Sequence, residues 1–166
     1  CSSDLHAGVQ GAGPRLQRTF EDAGEGERVI DRGAIGGVAG TGFDRGIGID
    51  LQQLVHEDMR AHFGKYPTLW GLTSTDRNID HRRVPNLMTW FKRQGMALKV
   101  SDKPADYRAG DIVTWDLGRG LTHIGIVSDR TSPAGVPLVL HNIGRGTQEE
   151  DILFGFAITG HYRFVR

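Results

Sequence analysis

Residues 110–143 contain three successive stretches of alternating side chains, and this pattern constrains the fold more than any other part of the chain. The stretches are Asp111 to Leu117, Thr122 to Ser128 and Leu138 to Ile143. Alternation with a period of two is typical of β-strands. The Gly-Arg-Gly between the first two stretches supplies the glycines that a short hairpin loop needs. The pattern therefore predicts three neighbouring antiparallel strands.

Two histidines lie on these predicted strands. Ile124 and Ile126 share one face of the second strand, so period-two geometry turns His123 and Gly125 to the other face. On the third strand, His141 lies where it can approach His123 across the sheet. We expect Gly125 to leave an open space beside His123.

The residues alone leave the role of this histidine pair open. A half-buried strand histidine that bonds a backbone carbonyl is the ordinary explanation for either residue. A neutral imidazole also suits general acid or base catalysis, or metal ligation. A pair of histidines can therefore serve a nucleophile or a metal.

Composition excludes several classes of function. The 166 residues predict one domain, and 20 basic residues balance 20 acidic ones, so no overall charge favours nucleic acid as a partner. No apolar run of 18 residues predicts a transmembrane helix. The single cysteine, Cys1, excludes an intramolecular disulfide and a multi-cysteine zinc site. Cys1-Ser-Ser-Asp would suit the start of a mature bacterial lipoprotein, or a fragment boundary.

The chain divides near residue 43. Residues 1–42 form an atypical glycine-rich segment in which Phe20 is the only aromatic residue, so it has little with which to build a core. Residues 43–166 have the pattern of a single globular domain. A helix capped by Asp50 carries Leu51, Leu54, Val55, Met59 and His62 on one stripe and ends at Phe63-Gly64.

A second helix is predicted from Pro85 to a stop at Gly95, with Lys65 to Arg83 as a structured loop before it. A short strand at Met96 to Val100 and a closing strand at His161 to Val165 complete the pattern. Helices followed by antiparallel strands indicate an α+β fold, with the N-terminal helices packed on an antiparallel sheet.

Other polar motifs carry weaker signals. Asp80-His81-Arg82-Arg83 is a dense cluster that either caps a helix and carries solvated charge, or forms a substrate-binding loop. His56 and His62 are six residues apart, whereas a helical zinc motif needs ligands four apart. Glu149-Glu150-Asp151 is typical of a solvated acidic surface. No motif predicts a cofactor or a metal.

Four segments carry a resemblance to a known family: GIDLQQLVHEDMRAHF, NIDHRRVPNLMTWF, YRAGDIVTWDLGRGLTHIGIVSDR and LVLHNIGRGTQEEDILFGFAITGHYR. Over residues 43–166 the chain resembles the bacterial family called domain of unknown function 1287. That family is distantly similar to the NlpC-type cell-wall peptidases of the papain-like thiol hydrolases. The resemblance implies a papain-like fold, a place in the periplasm or cell envelope, and peptidoglycan peptides as partners.

The resemblance also implies roles for particular residues. His123 matches the general base, and His141 matches the residue that orients it. Asn142, Asp80 and His81 are further candidates for a substrate groove. With these roles, intact members of the family resemble amide hydrolases or acyl-transfer enzymes. In such enzymes a thiol at a helix N-terminus is activated by a neighbouring imidazole.

The expected nucleophile is missing. The family pattern places a cysteine shortly after Asp-Arg-Gly, but here Asp31-Arg32-Gly33 is followed by Ala34. The chain could be a non-catalytic binding module, could use its histidines for a metal, or could contain a reading-frame artefact over residues 1–42. The composition of that segment favours the artefact. As it stands, we expect the chain to be inert by thiol chemistry.

Overall fold

A computed structural model describes residues 50–142 and 146–164. In these two ranges, two α-helices come first, and six strands follow them. The helices are α1 (Leu51–His62) and α2 (Val84–Arg93). The strands are β1 (Ala97–Leu98), β2 (Ile112–Asp116), β3 (Thr122–Thr131), β4 (Pro137–Asn142), β5 (Thr147–Glu150) and β6 (Ala157–Tyr162). The predicted α+β class is confirmed.

Helix α1 begins as its sequence predicts. The Asp50 side chain accepts a hydrogen bond from the backbone N–H of Gln53 at 2.8 Å, which satisfies one of the free donors of the first turn. Leu51, Val55 and Met59 form the buried stripe. The prediction that His62 belongs to this stripe is wrong, because its side chain is 47% exposed and bonds Asp58.

Helix α2 begins one residue before the predicted Pro85 and buries Leu87, Trp90 and Phe91. Gly95 ends it with a φ of +73°, a backbone conformation that glycine adopts without a steric penalty. Between the two helices, the predicted loop contains short 3₁₀ turns, one of which spans Asp80–Arg82.

The six strands form one antiparallel sheet in the order β1-β6-β2-β3-β4-β5. The predicted hairpin joins β2 to β3 and places Trp115 opposite His123. Strand β4 pairs next, with His141 opposite Gly125. Strand β5 was not predicted, and β6 begins four residues before the predicted start at His161.

The sheet has two differently covered faces. The helix-packed face buries apolar side chains from the strands against α1 and α2, including Ile112, Ile124, Ile126 and Leu140. The second face carries another apolar cluster, formed by Tyr107, Val113, Trp115, Val127, Val139 and Leu153. Within the described ranges, no helix is both long enough and apolar enough to cross a membrane. The glycine-rich segment, residues 1–42, lies outside the described residues.

Candidate functional site

His123 and His141 meet on the second face of the sheet. Nε2 of His123 lies 3.1 Å from Nδ1 of His141, and the two rings stand nearly perpendicular, at 84°. Alternation along β3 and β4 turns both side chains to this face, because their neighbours Ile124 and Leu140 enter the helix-packed core. The predicted approach of the two histidines is therefore confirmed.

Glu150 extends the pair into a chain of three residues. Nε2 of His141 lies 2.7 Å from a carboxylate oxygen of Glu150. The register between β4 and β5 explains this contact, since Glu150 is opposite Val139 and thus diagonal to His141. His141 is only 2% exposed, whereas the Glu150 side chain is 50% exposed. We call these three residues the histidine relay.

The hydrogen bonds assign the protons of the relay. A carboxylate can only accept, so Nε2 of His141 donates to Glu150. In a neutral His141, Nδ1 is then an acceptor, and Nε2–H of His123 must be the donor to it. This leaves Nδ1 of His123 as a lone-pair nitrogen that makes no hydrogen bond with residues 50–142 or 146–164. That atom is the one that can take up a proton.

Trp115 supports the base from the neighbouring strand. Its ring stacks on His123 with an interplanar angle of 25° and centroids 5.8 Å apart. The indole N–H donates to the carbonyl of Leu153 at 2.9 Å, which fixes the tryptophan in a fully buried position. His123 is itself half-buried, so it is held in one orientation but still reaches the surface.

The surroundings keep His123 neutral. Burial, and next the repulsion that would arise if His123 and His141 were both protonated, lower the pKa of His123 from 6.5 to about 4. At neutral pH the ring is therefore unprotonated and ready to accept a proton. A negative charge developing beside it would raise this pKa again, as a general base requires.

The predicted open space at Gly125 is wrong. A Cβ built there would lie 2.6 Å from Cγ1 of Val139 and 3.1 Å from Cη2 of Trp115. The space beside the glycine is already filled by side chains of the second-face cluster. Gly125 thus allows β3 to pack closely and leaves no room for a ligand.

Asp80 and His81 lie elsewhere. Both are buried in the 3₁₀ turn that packs against α1 and α2, over the helix-packed face. Asp80 bonds Nδ1 of His56 at 3.1 Å, and its own carbonyl accepts from the side chain of Asn86. The structure does not bring this pair together with the histidine relay. The idea that the cluster carries solvated charge fails for Asp80 and His81, because both are buried.

Asn142 is the last residue of β4, where it pairs with Thr147. It follows His141, so alternation turns its side chain toward the opposite face of the sheet from the relay.

In the described residues, no group of three or more His, Cys, Asp or Glu side chains is placed to hold a metal ion. Ala34, at the expected nucleophile position, lies outside the described residues.

Comparison with known sequences places the chain in a family. Residues 26–164 match the family described as "Domain of unknown function (DUF1287)". The chain belongs to this family. The match begins inside the glycine-rich segment, and the division at residue 43 stays a prediction.

The chain is similar to a relative from Escherichia coli (strain K12) named "Uncharacterized protein YijF". The two are 58% identical over 116 residues, which cover 70% of this chain and 57% of the relative. The chain thus spans little more than half the length of that relative. No solved structure matches this DUF1287 chain.

Proposed function

We propose that this DUF1287 domain is a cell-envelope protein with a papain-like, NlpC-type groove. In this proposal it binds peptidoglycan peptides beside His123 and does not hydrolyse them by thiol chemistry. The observation that carries the proposal is the histidine relay, His123–His141–Glu150, which ends in a single unprotonated imidazole nitrogen.

The relay has the features that a general base needs. The base must be neutral at working pH, and burial lowers the pKa of His123 to about 4. It must also be held by a partner on its second ring nitrogen, and His141 supplies that contact at 3.1 Å. Glu150 completes the arrangement by fixing the tautomer of the fully buried His141.

The relay can also bind a peptide ligand without catalysing a reaction. Nδ1 of His123 can accept a hydrogen bond from a peptide N–H, and the Trp115 ring behind it gives the histidine a fixed position. Preorganised polar groups of this kind fix the orientation of a ligand in its site. Peptidoglycan peptides are the ligands that the family resemblance implies.

The sequence supports binding rather than thiol hydrolysis. The position that follows Asp31-Arg32-Gly33 holds Ala34, and the chain contains no cysteine besides Cys1. A general base without a nucleophile gives no covalent intermediate. In this proposal the relay therefore holds a peptide.

The test measures binding and hydrolysis on the same preparations. Calorimetric titration with a disaccharide-tetrapeptide muropeptide gives the affinity, and mass spectrometry of the mixture detects cleavage. The variant is His123→Gln, and the matched control is His62→Gln on the exposed surface of α1. We expect His123→Gln to weaken binding about fivefold, which corresponds to one hydrogen bond of roughly 1 kcal/mol. The control should bind like the unchanged protein.

Three results would contradict the proposal. The first is the absence of any saturable muropeptide binding. The second is amide hydrolysis by the unchanged protein, whether or not it survives His123→Gln. The third is stoichiometric zinc in the purified protein that is lost in His123→Gln, because this would assign the histidines to a metal.

A further inference from the structure

A cavity lies at the edge of the sheet, apart from the histidine relay. It has a volume of about 750 Å³, within the range of roughly 300–1,000 Å³ that small-molecule sites occupy. One wall is the segment 98–103, which starts at the last residue of β1, and the other wall comes from β6 and the residues before it. Because β1 has only two residues, the chain separates from β6 after Leu98 and opens this space. We call it the β6-edge cavity.

Exposed apolar side chains concentrate in this cavity. In the described part of the chain, seven large apolar side chains are exposed, and four of them line the cavity. These four are Leu98, Val100, Phe154 and Phe156. Exposed apolar groups gathered in one concave place are typical of a ligand site, whereas single scattered ones are ordinary.

A buried histidine also lines the cavity. His161 is 2% exposed, and its Nε2 lies 2.6 Å from Oδ2 of Asp111. Burial raises the pKa of Asp111, but hydrogen bonds from His161 and Arg163 outweigh this and hold it below its ordinary value. The carboxylate is therefore ionised and accepts from Nε2–H. The Tyr107 ring stacks on the imidazole of His161, with the two ring centroids 4.3 Å apart, and fixes the plane of the imidazole.

The other nitrogen of His161 is left without a partner. Nδ1 is buried and makes no hydrogen bond within the described residues. A buried polar atom without a partner destabilises the structure, so a ligand group that bonds it would gain affinity from that contact. A hydroxyl suits this atom best, because it can donate to a neutral imidazole and accept from a protonated one.

The charged side chains around the cavity do not favour an ionic ligand. Two cations, Lys99 and Lys103, and two anions, Asp102 and Asp106, belong to its lining. The two signs balance, so the cavity offers no net attraction to an ion of either charge.

We propose that the β6-edge cavity binds an uncharged aromatic molecule that carries a hydroxyl group. The aromatic body lies against Phe154 and Phe156, and the hydroxyl bonds Nδ1 of His161. This site goes beyond the proposed peptide groove, because His161 is on β6 and strand β2, with Trp115, lies between it and His123. The two proposals can therefore be tested independently of each other.

The test uses two matched probes. 2-Naphthol carries the hydroxyl, whereas 2-methoxynaphthalene has the same ring system and no donor. Equilibrium fluorescence titration measures both affinities for the unchanged protein. We expect saturable binding of 2-naphthol, about tenfold tighter than that of the methoxy compound.

Variants place the probe in the cavity. Phe156→Ala removes part of the apolar wall and should weaken 2-naphthol binding at least about fivefold. Leu121→Ala removes an apolar side chain that is 61% exposed and does not line the cavity, so it should change nothing. His123→Gln should also leave naphthol binding unchanged, which separates this site from the peptide groove.

Spectroscopy tests the hydrogen bond without altering a buried residue. The ¹⁵N chemical shift of His161 Nδ1 should move on addition of 2-naphthol and stay constant with 2-methoxynaphthalene. The proposal is overturned if 2-naphthol does not saturate, if both probes bind equally, or if Leu121→Ala and Phe156→Ala weaken binding alike.

Discussion

The stability of this domain should depend on pH through His123. Burial, and next the repulsion that would arise if this residue and His141 were both protonated, lower the pKa of His123 from 6.5 to about 4 in the folded state. The unfolded chain takes up the proton near pH 6.5, whereas the folded protein takes it up only near pH 4. Between these values the unfolded state binds more protons, so stability is fully present above pH 6.5 and is lost as the pH falls toward 4.

The size of the effect follows from the pKa difference. A displacement from 6.5 to about 4 corresponds to roughly 3 kcal/mol at about 1.4 kcal/mol per pKa unit. Because His123 is only half-buried, solvent screening reduces our expectation to about 2 kcal/mol. His123→Gln replaces the imidazole with a side chain that does not titrate, so this part of the pH dependence should disappear.

Urea unfolding at pH 7.5 and at pH 4.5 measures the effect. The unchanged protein and the His62→Gln control should lose more stability between the two pH values than His123→Gln does, by about 2 kcal/mol. The comparison cancels the titration of the other acidic and basic groups. Equal losses in His123→Gln and in the unchanged protein would refute the assignment of a lowered pKa to His123.

Three other substitutions, the first with a matched control, test the packing of the sheet, the cap of α1 and the hydrogen bond to Glu150. Gly125→Ala places a Cβ 2.6 Å from the Val139 side chain and should cost about 1–3 kcal/mol of unfolding free energy; Gly64→Ala, with no atom within 4 Å of the new Cβ, should leave urea unfolding nearly unchanged. Asp50→Ala removes the N-cap bond of α1 and should lower stability by about 1 kcal/mol; an unchanged urea midpoint would contradict this. Glu150→Gln replaces a charged acceptor of the relay with a neutral one and should cost about 1 kcal/mol; a stability equal to that of the unchanged protein would show that the contact contributes nothing.

The local sequence pattern predicted the meeting of the two histidines correctly. Period-two alternation in β3 and β4 is set by the apolar residues Ile124, Ile126 and Leu140, which enter the helix-packed core. Once those face inward, His123 and His141 must face the other way. The α+β class and the Asp50 cap could also be predicted, because both depend on patterns among residues that are close together in the sequence.

Glu150 could not be found in this way. Strand β5, with the sequence Thr-Gln-Glu-Glu, has no apolar alternation, and three consecutive acidic residues are typical of a solvated surface. Its contact with His141 depends on the register between β4 and β5, which is a tertiary property. The local sequence therefore did not indicate that Glu150 contacts His141.

Packing also explains two of the places where interpretation of the sequence failed. Gly125 looked like an opening because a glycine has no side chain, but Val139 and Trp115 occupy the space beside it. Asp80 and His81 looked like a charged loop, yet the two helices enclose the turn that carries them. In both cases the environment is supplied by residues of neighbouring elements in the fold.

The histidine relay is tested most directly by ¹⁵N NMR of the imidazole nitrogens across a pH titration. We predict that at pH 7 His123 is neutral, with its proton on Nε2 and a bare Nδ1, and that it titrates with a pKa of about 4. A proton on Nδ1 of His123 at pH 7, or a pKa at or above the ordinary value of 6.5, would contradict its role as a preorganised hydrogen-bond acceptor.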